Sequence, residues 1–385
     1  MGAPIRFVRE AQIAGSSAHI ADTVRILERY EFERLAGRTL LAFEPVGVCA
    51  LITPWNFPVL QIITKVMPAL ATGCTVVLEP SEYAPISPML FAEVLHDAGV
   101  PPGAFNLING DGPTVGEAMA RHPDVDMVSF TGSARAGVQV AKNAADTVKR
   151  VHQELGGNSA NILMTDVDLE PAVTRGVLGA YRNAGQSCTA PTRMLVPRQL
   201  HEKAIEIAKR AAESVIIGDV NDGATTLGPV MNERQFERVN SLIESAVREG
   251  ATLVTGGSGR PSSLNRGYFV RPTVFGHVTR EMTVAREEMF GPVVSLIPYD
   301  SVDEAIEITN DTPYGLAAYL QSKDLGAAKH VASKLRAGQV MINHPAWDAS
   351  APFGGFKQSG NGRECGEFGF EAFLEVKAIG GLYED

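Results

Sequence analysis

A cysteine flanked by small polar residues is the first candidate for chemistry in this chain. Cys188 lies in the segment Asn-Ala-Gly-Gln-Ser-Cys-Thr-Ala (183–190), where Gly185 interrupts a helix predicted over about 169–182. A cysteine on such a turn can face a cleft and act as a nucleophile through its thiolate. The alternative is the usual role of a free cysteine, a small buried hydrophobe, which the polar neighbours disfavour.

A second candidate is the carboxylate of Glu154, which ends a predicted strand and precedes Gly156 and Gly157. Sites in α/β proteins form at strand ends, and a carboxylate there could act as the base that activates a water molecule. The alternative is an ordinary solvated loop residue. Because Glu154 and Cys188 lie 34 positions apart, their spacing alone does not show that they act together.

A third candidate is Asn56, which lies in a turn made stiff by Pro54 and Pro58. An asparagine held in such a turn could donate its side-chain amide N–H to an oxyanion that develops during a reaction. The alternative is an ordinary N-cap of the helix predicted to follow it.

Two glycine-containing segments each follow a predicted strand and precede a predicted helix. The first contains Gly110, Gly112 and Gly116 and opens a helix near 115–120, and the second is Phe-Thr-Gly-Ser at 130–133. Both suit phosphate binding at a helix N-terminus. The first has the spacing GxGxxxG rather than the GxGxxG of an ordinary dinucleotide fold.

Short apolar runs alternate with amphipathic stretches along almost the whole chain, which predicts parallel β-sheets with crossover helices. The predicted strands are 47–52, 74–78, 105–108 and 127–130 in a first α/β unit, and 161–164, 194–196, 293–296 and 340–343 in a second unit. Helices are predicted over about 59–70 and 87–98. The segments 39–43 and 374–379 are predicted strands of a small satellite sheet.

The length and composition exclude several classes of protein. A chain of 385 residues predicts two domains, and the net charge of −10 argues against a nucleic-acid partner. The apolar runs are too short to span a bilayer, so no membrane partner is expected. Neither the four cysteines nor the eight histidines have the spacing of a metal site, so no metal is predicted. The N-terminus has no secretory segment, so a cytoplasmic location is expected.

Six motifs in one order resemble those of the aldehyde dehydrogenase superfamily. They are found at 54–58, 130–133, 154–157, 185–188, 287–292 and 352–360. The resemblance implies an α/β fold with two parallel-sheet domains, a Rossmann-like cofactor domain and a catalytic domain, plus a small oligomerisation β-sheet. The implied bounds are 1–33 and 44–155 for the cofactor domain, 156–357 for the catalytic domain, and 34–43 with 371–385 for the oligomerisation strands.

The resemblance also implies roles for individual residues in catalysis. Cys188 matches the nucleophile that attacks the aldehyde carbon, and Asn56 with the backbone N–H of Cys188 matches the oxyanion hole. Glu154 matches the general base that directs water at the thioester left after hydride transfer. Lys65 occupies the place of a lysine that supports this proton relay.

Cofactor and substrate positions follow in the same way. Glu288 matches the residue that grips the nicotinamide ribose, and Phe290 matches the ring that packs beside it. Gly112 and Gly116 are implied in helix packing and adenine-side contacts rather than in a phosphate loop. The other implied cofactor residues are Thr53, Trp55, Glu79, Glu82, Phe130, Gly132, Ser133, Leu155 and Gly156, and the implied substrate residues are Phe57, Gln61, Tyr181, Arg182 and Trp347.

Two departures from the family pattern bear on the cofactor. Glu79 stands where the family nearly always has lysine, and with Glu82 nearby it should repel the 2′-phosphate of NADP, so NAD is the expected cofactor. The alternative is that Glu79 turns toward solvent. The chain also starts late, without the helices and strands that family members carry first, which leaves the cofactor domain incomplete and is expected to expose apolar surface.

The sequence therefore predicts an enzyme that oxidises an aldehyde to a carboxylic acid with NAD(P), in a homodimer or homotetramer. Arg182 stands where many relatives have an aromatic residue, which favours a polar or semialdehyde substrate, with a surface ion pair as the alternative. Three other functions stay open: a truncated, catalytically impaired homologue that only binds or supports structure; a coenzyme A-acylating semialdehyde dehydrogenase, disfavoured by Glu154; and a cysteine hydrolase, disfavoured because no histidine lies near Cys188 in the sequence.

Overall fold

A computed structural model describes residues 1–382, which form two compact units. Unit A comprises 10–154, 347–354 and the described part of 360–385, and unit B comprises 1–9, 155–346 and 355–359. Residues 1–9 group with unit B rather than with the first domain that the sequence predicts, because the Ile5 N–H donates to the Val220 carbonyl oxygen at 2.7 Å. Residues 383–385 of the predicted oligomerisation segment lie outside the described residues.

The strands are numbered along the chain. They are β1 Glu33–Ala36, β2 Thr39–Pro45, β3 Val48–Thr53, β4 Thr75–Pro80, β5 Phe105–Leu107, β6 Met127–Thr131, β7 Arg150–Glu154, β8 Ala160–Leu163, β9 Arg193–Pro197, β10 Thr252–Thr255, β11 Thr273–Gly276, β12 Val293–Tyr299, β13 Ala317–Gln321, β14 Gln339–Ile342, β15 Gly360–Asn361 and β16 Leu374–Ile379.

The α-helices are numbered in the same way. They are α1 Ile5–Phe7, α2 Ala14–Leu27, α3 Leu60–Ala71, α4 Ile86–Asp97, α5 Glu117–Arg121, α6 Ala134–Ala144, α7 Leu169–Tyr181, α8 His201–Glu213, α9 Glu233–Arg248, α10 Thr283–Arg286, α11 Val302–Asn310, α12 Leu325–Ala332 and α13 Gly366–Glu371. A π-helical turn, Gly112–Gly116, precedes α5, so this helical segment begins earlier than the predicted 115.

In unit A, six strands form a sheet in the order β15-β7-β6-β3-β4-β5. The five longer strands are parallel, and only the two-residue β15 runs antiparallel to its neighbour β7. The five parallel strands have the 3-2-1-4-5 arrangement of a doubly wound dinucleotide-binding sheet. In such a sheet the chain reverses direction between β3 and β6, and ligands bind outside the carboxyl ends of the strands at that point.

The central strands of unit A are buried because they are apolar on both faces. Cys49, Leu51, Val76 and Leu78 of β3 and β4 pack with residues such as Ile62 of α3 into one core. This pattern is typical of parallel strands that helices cover on both sides. The core holds the carboxyl ends of β3, β4, β6 and β7 in fixed positions.

A second sheet of unit A contains β1, β2 and β16 in that order, with both pairs antiparallel. It confirms the predicted satellite sheet, and β16 has the bounds expected from the sequence. Leu35 of β1 and Val376 of β16 are exposed. The two outer strands therefore present apolar side chains on the surface of unit A.

In unit B, seven strands form a sheet in the order β10-β11-β12-β9-β8-β13-β14. All neighbours are parallel except β10 and β11. A large apolar core packs α7 and α8 against this sheet, and it includes Val173, Val177, Leu195 and Val294. The predicted α/β class with two parallel-rich sheets and a small third sheet is confirmed.

One helix of unit A carries an exposed apolar stripe. Ile86, Met89, Leu90 and Val94 of α4 are between 48% and 71% exposed and follow the helical repeat. Contiguous apolar surface of this kind promotes association with other apolar surfaces. Within residues 1–382, no helix combines the length and apolar character that crossing a bilayer requires.

Candidate active site

Cys188 lies on a turn of unit B between α7 and β9, as the sequence predicts. The helix ends because Asn183 and Ala184, with φ of 55° each, and Gly185, with φ of 72°, turn the backbone into the left-handed region. The cysteine is half-buried rather than part of the core. The structure therefore disfavours the reading of Cys188 as a small core residue.

Contacts on either side fix the backbone of Cys188. The Tyr319 hydroxyl donates to the Thr189 carbonyl oxygen at 3.0 Å, and the hydroxyls of Ser187 and Thr189 lie 3.1 Å apart. A Cβ at Gly157 would overlap the carbonyl oxygen of Cys188. The position of the thiol consequently depends on a glycine at 157, which the sequence analysis named only as a residue that follows Glu154.

Glu288 lies beside the same glycines of unit B. Its Oε1 accepts the Gly157 N–H at 2.9 Å, and a Cβ at Gly156 would lie 2.5 Å from its Oε2. Burial raises the pKa of Glu288 to about 7, although the Gly157 hydrogen bond and Arg238 act in the opposite direction. Glu288 is thus a half-buried residue whose carboxyl pKa is raised toward neutral pH.

The candidate residues of unit B lie at the amino ends of its parallel strands. Gly157 precedes β8, Cys188 precedes β9 and Glu288 precedes β12. Phe290, in the same segment as Glu288, has a φ of 50°, a strained value for a bulky residue. Its carbonyl oxygen accepts a hydrogen bond from Gln235 Nε2 at 2.8 Å, which holds this conformation.

Two predicted substrate residues of unit B have different environments. Tyr181 is buried in the core, where its hydroxyl donates to the Thr273 carbonyl oxygen at 2.8 Å, a packing position. Arg182 is exposed, and its guanidinium lies 5.3 Å from the centre of the Phe7 ring. Stacking on Phe7 therefore accounts for Arg182 in place of the surface ion pair that the sequence left open.

In unit A, Glu154 ends β7 as predicted, but its side chain is only 2% exposed. The alternative of a solvated loop residue is wrong. Within residues 1–382, neither of its carboxyl oxygens has a hydrogen-bond partner. Burial, followed by the nearby Glu364, raises the pKa of Glu154 well above its ordinary value, and Lys65 and Arg363 oppose the shift.

Lys65 projects from α3 and is fully buried. Its Nζ forms an ion pair with Oε1 of Glu364 and donates to Ser129 Oγ at 3.0 Å. The sequence analysis selected Lys65 but missed Glu364 and Ser129. The only local signal for Glu364 is its place just after the C-terminal motif 352–360, in a segment that also contains Gly362.

Asn56 lies in a bend after β3, and its side chain is buried. The Phe57 N–H donates to its Oδ1 at 3.2 Å, and its carbonyl oxygen accepts a hydrogen bond from Gln12 Nε2 at 3.5 Å. Helix α3 begins only at Leu60, with Val59 as its N-cap. The alternative that Asn56 caps this helix is therefore wrong.

The carboxyl ends of β3 and β4 present two unpartnered polar atoms. Thr53 Oγ1 and Glu79 Oε2 are buried and have no hydrogen-bond partner within residues 1–382. Glu79 is 3% exposed, so the alternative that it faces solvent is wrong. Burial, and then Glu82 and Asp111, raise the pKa of Glu79 to about 7. A Cβ at Gly116 would lie 2.7 Å from Glu79 Oε2.

This end of the sheet fits the adenosine half of a dinucleotide cofactor. Orphaned polar atoms at the carboxyl ends of a doubly wound sheet are suited to ribose hydroxyls, and Gly116 leaves the space next to Glu79 open. The helix N-termini are less suited to its phosphates. Side chains already cap them, since the Thr114 N–H donates to Asp111 at 2.8 Å and the Ala136 N–H donates to Ser133 at 3.3 Å.

The other predicted positions are distributed over both units. Glu82 is exposed, Phe130 and Leu155 are buried, and the Gly132 N–H donates to the Glu154 carbonyl oxygen at 3.0 Å. Trp347 donates from Nε1 to His19 Nε2 at 3.2 Å.

The five remaining predicted positions differ in exposure. In unit A, Trp55 and Phe57 are half-buried, Gln61 is buried and Gly112 is exposed. In unit B, Gly156 is buried.

One cluster in unit B has metal-ligating residue types, namely His201, Glu202 and His277. His201 Nδ1 lies 3.9 Å from Glu202 Oε1, whereas two ligands ~2.1 Å from a tetrahedral ion lie roughly 3.4 Å apart. Glu202 is also mostly exposed. We therefore assign no metal to this cluster.

Comparison with known proteins supplies the family. The model of the aldehyde dehydrogenase family matches residues 1–379. The chain is 51% identical over 382 residues to a 3-succinoylsemialdehyde-pyridine dehydrogenase of a Pseudomonas species, covering 99% of this chain and 80% of the relative.

Solved structures agree. A mutant of aldehyde dehydrogenase C from Pseudomonas syringae, in complex with NAD+ and octanal, is 54% identical with a TM-score of 0.97, covering 98% of this chain and 78% of that one. An aldehyde dehydrogenase from Mycobacterium tuberculosis in complex with NAD+ is 37% identical with a TM-score of 0.95. The match covers 98% of this chain and 79% of that one. With a family match over nearly its whole length and these relatives, the chain belongs to the aldehyde dehydrogenase family.

Proposed function

We propose that the protein oxidises an aldehyde to a carboxylic acid with a nicotinamide cofactor and water. The observation that carries this proposal is the half-buried Cys188 on a turn built by left-handed residues, in a chain of the aldehyde dehydrogenase family. The buried, unpartnered carboxyl of Glu154 supports hydrolysis as the final step.

In the first half of the reaction, the Cys188 thiolate attacks the aldehyde carbon. A C–S bond forms, and the carbonyl electron pair moves to the oxygen, which becomes an oxyanion. The Asn56 side-chain amide and the Cys188 backbone N–H donate hydrogen bonds to this oxygen. The bound nicotinamide supplies the acceptor for the hydride that the resulting thiohemiacetal loses, and a thioester on Cys188 remains.

In the second half, water attacks the thioester carbon and gives a proton to the Glu154 carboxylate. The C–S bond breaks, the Cys188 thiolate leaves, and the carboxylic acid is released. The presence of Glu154 favours water over coenzyme A as the acyl acceptor. Lys65, paired with Glu364, supports the transfer of this proton away from Glu154.

NAD is proposed as the preferred cofactor because of Glu79. Its buried carboxyl with a pKa of about 7 can accept ribose hydroxyls, and in its ionised form it repels a 2′-phosphate. Replacing Glu79→Gln removes the charge at nearly constant volume. We expect this variant to raise kcat/KM for NADP relative to NAD several-fold at pH above 7, with Glu82→Gln as the exposed control.

The proposed substrate is a polar or semialdehyde compound. The 51% identical Pseudomonas relative is named for a semialdehyde, and the exposed Arg182 supplies a cation in unit B. The 54% identical mutant of aldehyde dehydrogenase C was solved with octanal bound, so a plain aliphatic aldehyde also binds to a relative of this chain. A semialdehyde without a kcat/KM advantage over an aliphatic aldehyde of equal length would overturn the substrate proposal.

A homodimer or homotetramer is proposed on the small sheet of unit A. Its outer strands expose Leu35 and Val376, and the sheet matches the segments expected to pair between subunits. Native mass spectrometry tests this proposal directly. A monomer at micromolar concentration would contradict it.

The test of the function is NADH formation from NAD with a panel of aldehydes. We expect activity that is abolished in Cys188→Ala while NAD still raises the melting temperature of that variant. In Glu154→Gln, we expect a single burst of NADH followed by slow turnover, because acylation proceeds and hydrolysis does not. No NADH from any aldehyde, together with no NAD-induced shift in melting temperature, would instead support a catalytically impaired homologue.

A further inference from the structure

His152 and Glu154 occupy alternate positions of β7, so their side chains project from the same face of the sheet. His152 Nε2 lies 3.7 Å from Glu154 Oε1, and the two residues are 4% and 2% exposed. Both ring nitrogens and both carboxyl oxygens lack a hydrogen-bond partner within residues 1–382. Buried polar groups are almost always paired, so this arrangement calls for an explanation.

Two glycines of unit A leave room for these side chains to approach each other. A Cβ at Gly362 would overlap the His152 ring, and a Cβ at Gly354 would lie 2.7 Å from Glu154 Oε1. The present separation exceeds a hydrogen bond by only about half an ångström. A small side-chain rotation closes it, and catalytic hydrogen bonds are often long before substrate binds.

The surroundings of His152 keep its imidazole neutral. Burial, followed by Lys65, lowers its pKa to about 4, while Glu364 acts in the opposite direction. The charged and polar groups that face it are Lys65 from α3, Ser129 from β6, Arg363 and Glu364 from the segment after β15, and Arg150 and Glu154 from its own strand. A neutral imidazole carries one N–H donor and one acceptor nitrogen.

Glu154 needs a hydrogen-bond donor to stabilise its ionised carboxylate if it is to act as a base. A carboxyl that burial keeps protonated cannot take a proton from water, and a hydrogen bond to the ionised form reverses this effect. The ammonium of Lys65 is already bound to Glu364 and Ser129. Within residues 1–382, His152 Nε2 has no hydrogen-bond partner and lies 3.7 Å from Glu154 Oε1, so it can supply the N–H that this carboxyl lacks.

We propose that the neutral imidazole of His152 donates its Nε2–H to the Glu154 carboxylate and so favours the ionised form of this base. The inference rests on the proposed function for the role of Glu154. His152 does not touch the reacting atoms in this scheme. It is a positioning residue that acts through Glu154, and no covalent step is required of it.

The test measures the protonation of Glu154 directly, without catalysis. The infrared C=O band of its protonated carboxyl, isolated by subtracting the Glu154→Gln spectrum, is followed against pH in the wild type, His152→Leu and His152→Gln. We expect the band to disappear about one pH unit higher in His152→Leu, a tenfold shift, because the donor is lost. His152→Gln, whose amide can donate, should restore most of the shift.

The exposed His96→Leu on α4 is the matched control, and it should titrate like the wild type. If His152→Leu does not fold, His152→Met gives the same comparison. Equal titration of Glu154 in the wild type and the apolar variant would overturn the proposal. A titration at lower pH in that variant would do so too, because His152 would then disfavour the carboxylate.

A kinetic arm separates this inference from the proposed function. For acyl-enzyme hydrolysis, the acid limb of the pH profile should move up in His152→Leu by the same amount as the infrared titration. If Glu154→Gln hydrolyses as fast as the wild type, the role of Glu154 in the proposed function fails. The infrared result would still decide whether His152 stabilises the carboxylate.

Discussion

Lys65 Nζ and Glu364 Oε1 form an ion pair inside unit A, with the two side chains only 1% and 4% exposed. Burial by itself would raise the pKa of Glu364, but the nearby Lys65, which also donates a hydrogen bond to it, outweighs burial and holds the pKa below its ordinary value. Glu364 is therefore held as a carboxylate at neutral pH. Each depends on the other, because an isolated charge at this depth is strongly unfavourable.

Removing one member of this pair should destabilise unit A. We expect Lys65→Met to lower the free energy of unfolding by about 3–5 kcal/mol, because it leaves the Glu364 carboxylate without its counter-ion. Urea unfolding followed by tryptophan fluorescence measures this, since both tryptophans, Trp55 and Trp347, lie in unit A. The double variant Lys65→Met with Glu364→Leu should recover most of the loss. A single variant as stable as the wild type would show that the pair does not stabilise the unit.

The pH dependence of stability gives a separate prediction for the same pair. Because the pKa of Glu364 is lowered on folding, its contribution is fully present above the ordinary value of about 4.3 and is lost as the pH falls through the lowered value. The double variant lacks this contribution. The difference in melting temperature between the wild type and the double variant should therefore change only below about pH 4.3, and a change confined to higher pH would contradict the assignment.

Glu79 should have the opposite pH behaviour. Burial raises its pKa to about 7, so folding favours the protonated form, and this contribution is lost as the pH rises through 7. We expect Glu79→Gln to melt at a higher temperature than the wild type at pH 8 to 9, with the difference shrinking as the pH falls from 7 and absent below about pH 4.3. The exposed Glu82→Gln should show neither effect. Parallel melting curves for Glu79→Gln and the wild type across this range would argue against a buried titrating carboxyl.

Gly157 should be essential for the position of Cys188. In Gly157→Ala, the added methyl group overlaps the Cys188 carbonyl oxygen, so the thiol must move. A displacement of about 1 Å at a reacting group costs roughly 100-fold in rate, and we expect kcat to fall by at least that factor. Gly223→Ala is the control in unit B, because no atom lies within 4 Å of its added Cβ. A kcat within about threefold of the wild type in a folded Gly157→Ala protein would refute this dependence.

The four cysteines should differ sharply in reactivity. Cys49 and Cys74 are buried, and burial together with Glu364 and Glu154 raises the pKa of Cys365 well above its ordinary value. Cys188 is half-buried on its turn. We expect iodoacetamide at neutral pH to add one group to the native protein, and Cys188→Ala to remain unmodified, as measured by intact mass. A rapid second adduct, or an adduct that survives in Cys188→Ala, would contradict this order.

The strands and the turn of Cys188 were predictable because their signals are local. Of the eight strands predicted in the two α/β units, seven end within two residues of the observed bounds, and β12 extends three residues further. β11 and β13, of four and five residues, were missed because such short apolar runs give weak period signals. The burial of Glu79 was also beyond local reasoning, because it depends on which residue packs above the carboxyl end of β4.

Contacts between distant segments set the other limit on prediction. Lys65 could be selected by family resemblance, but its partner Glu364 lies 299 positions later, and no pattern in a single sequence joins them. The same holds for β15, a two-residue strand that pairs with β7. The residues that tune the candidate base therefore became visible only once the chain was folded.

Because residues 360–382 belong to unit A, this unit cannot finish folding until they have emerged from the ribosome. Strands β3 to β7 are synthesised before strands β8 to β14 of unit B, whereas β15, β16 and Glu364 are synthesised after them. Until then, the nascent chain must hold Lys65 exposed or bury it without a counter-ion. Nascent unit A therefore has to wait in a partly open state, during which chaperones and proteases have access to it.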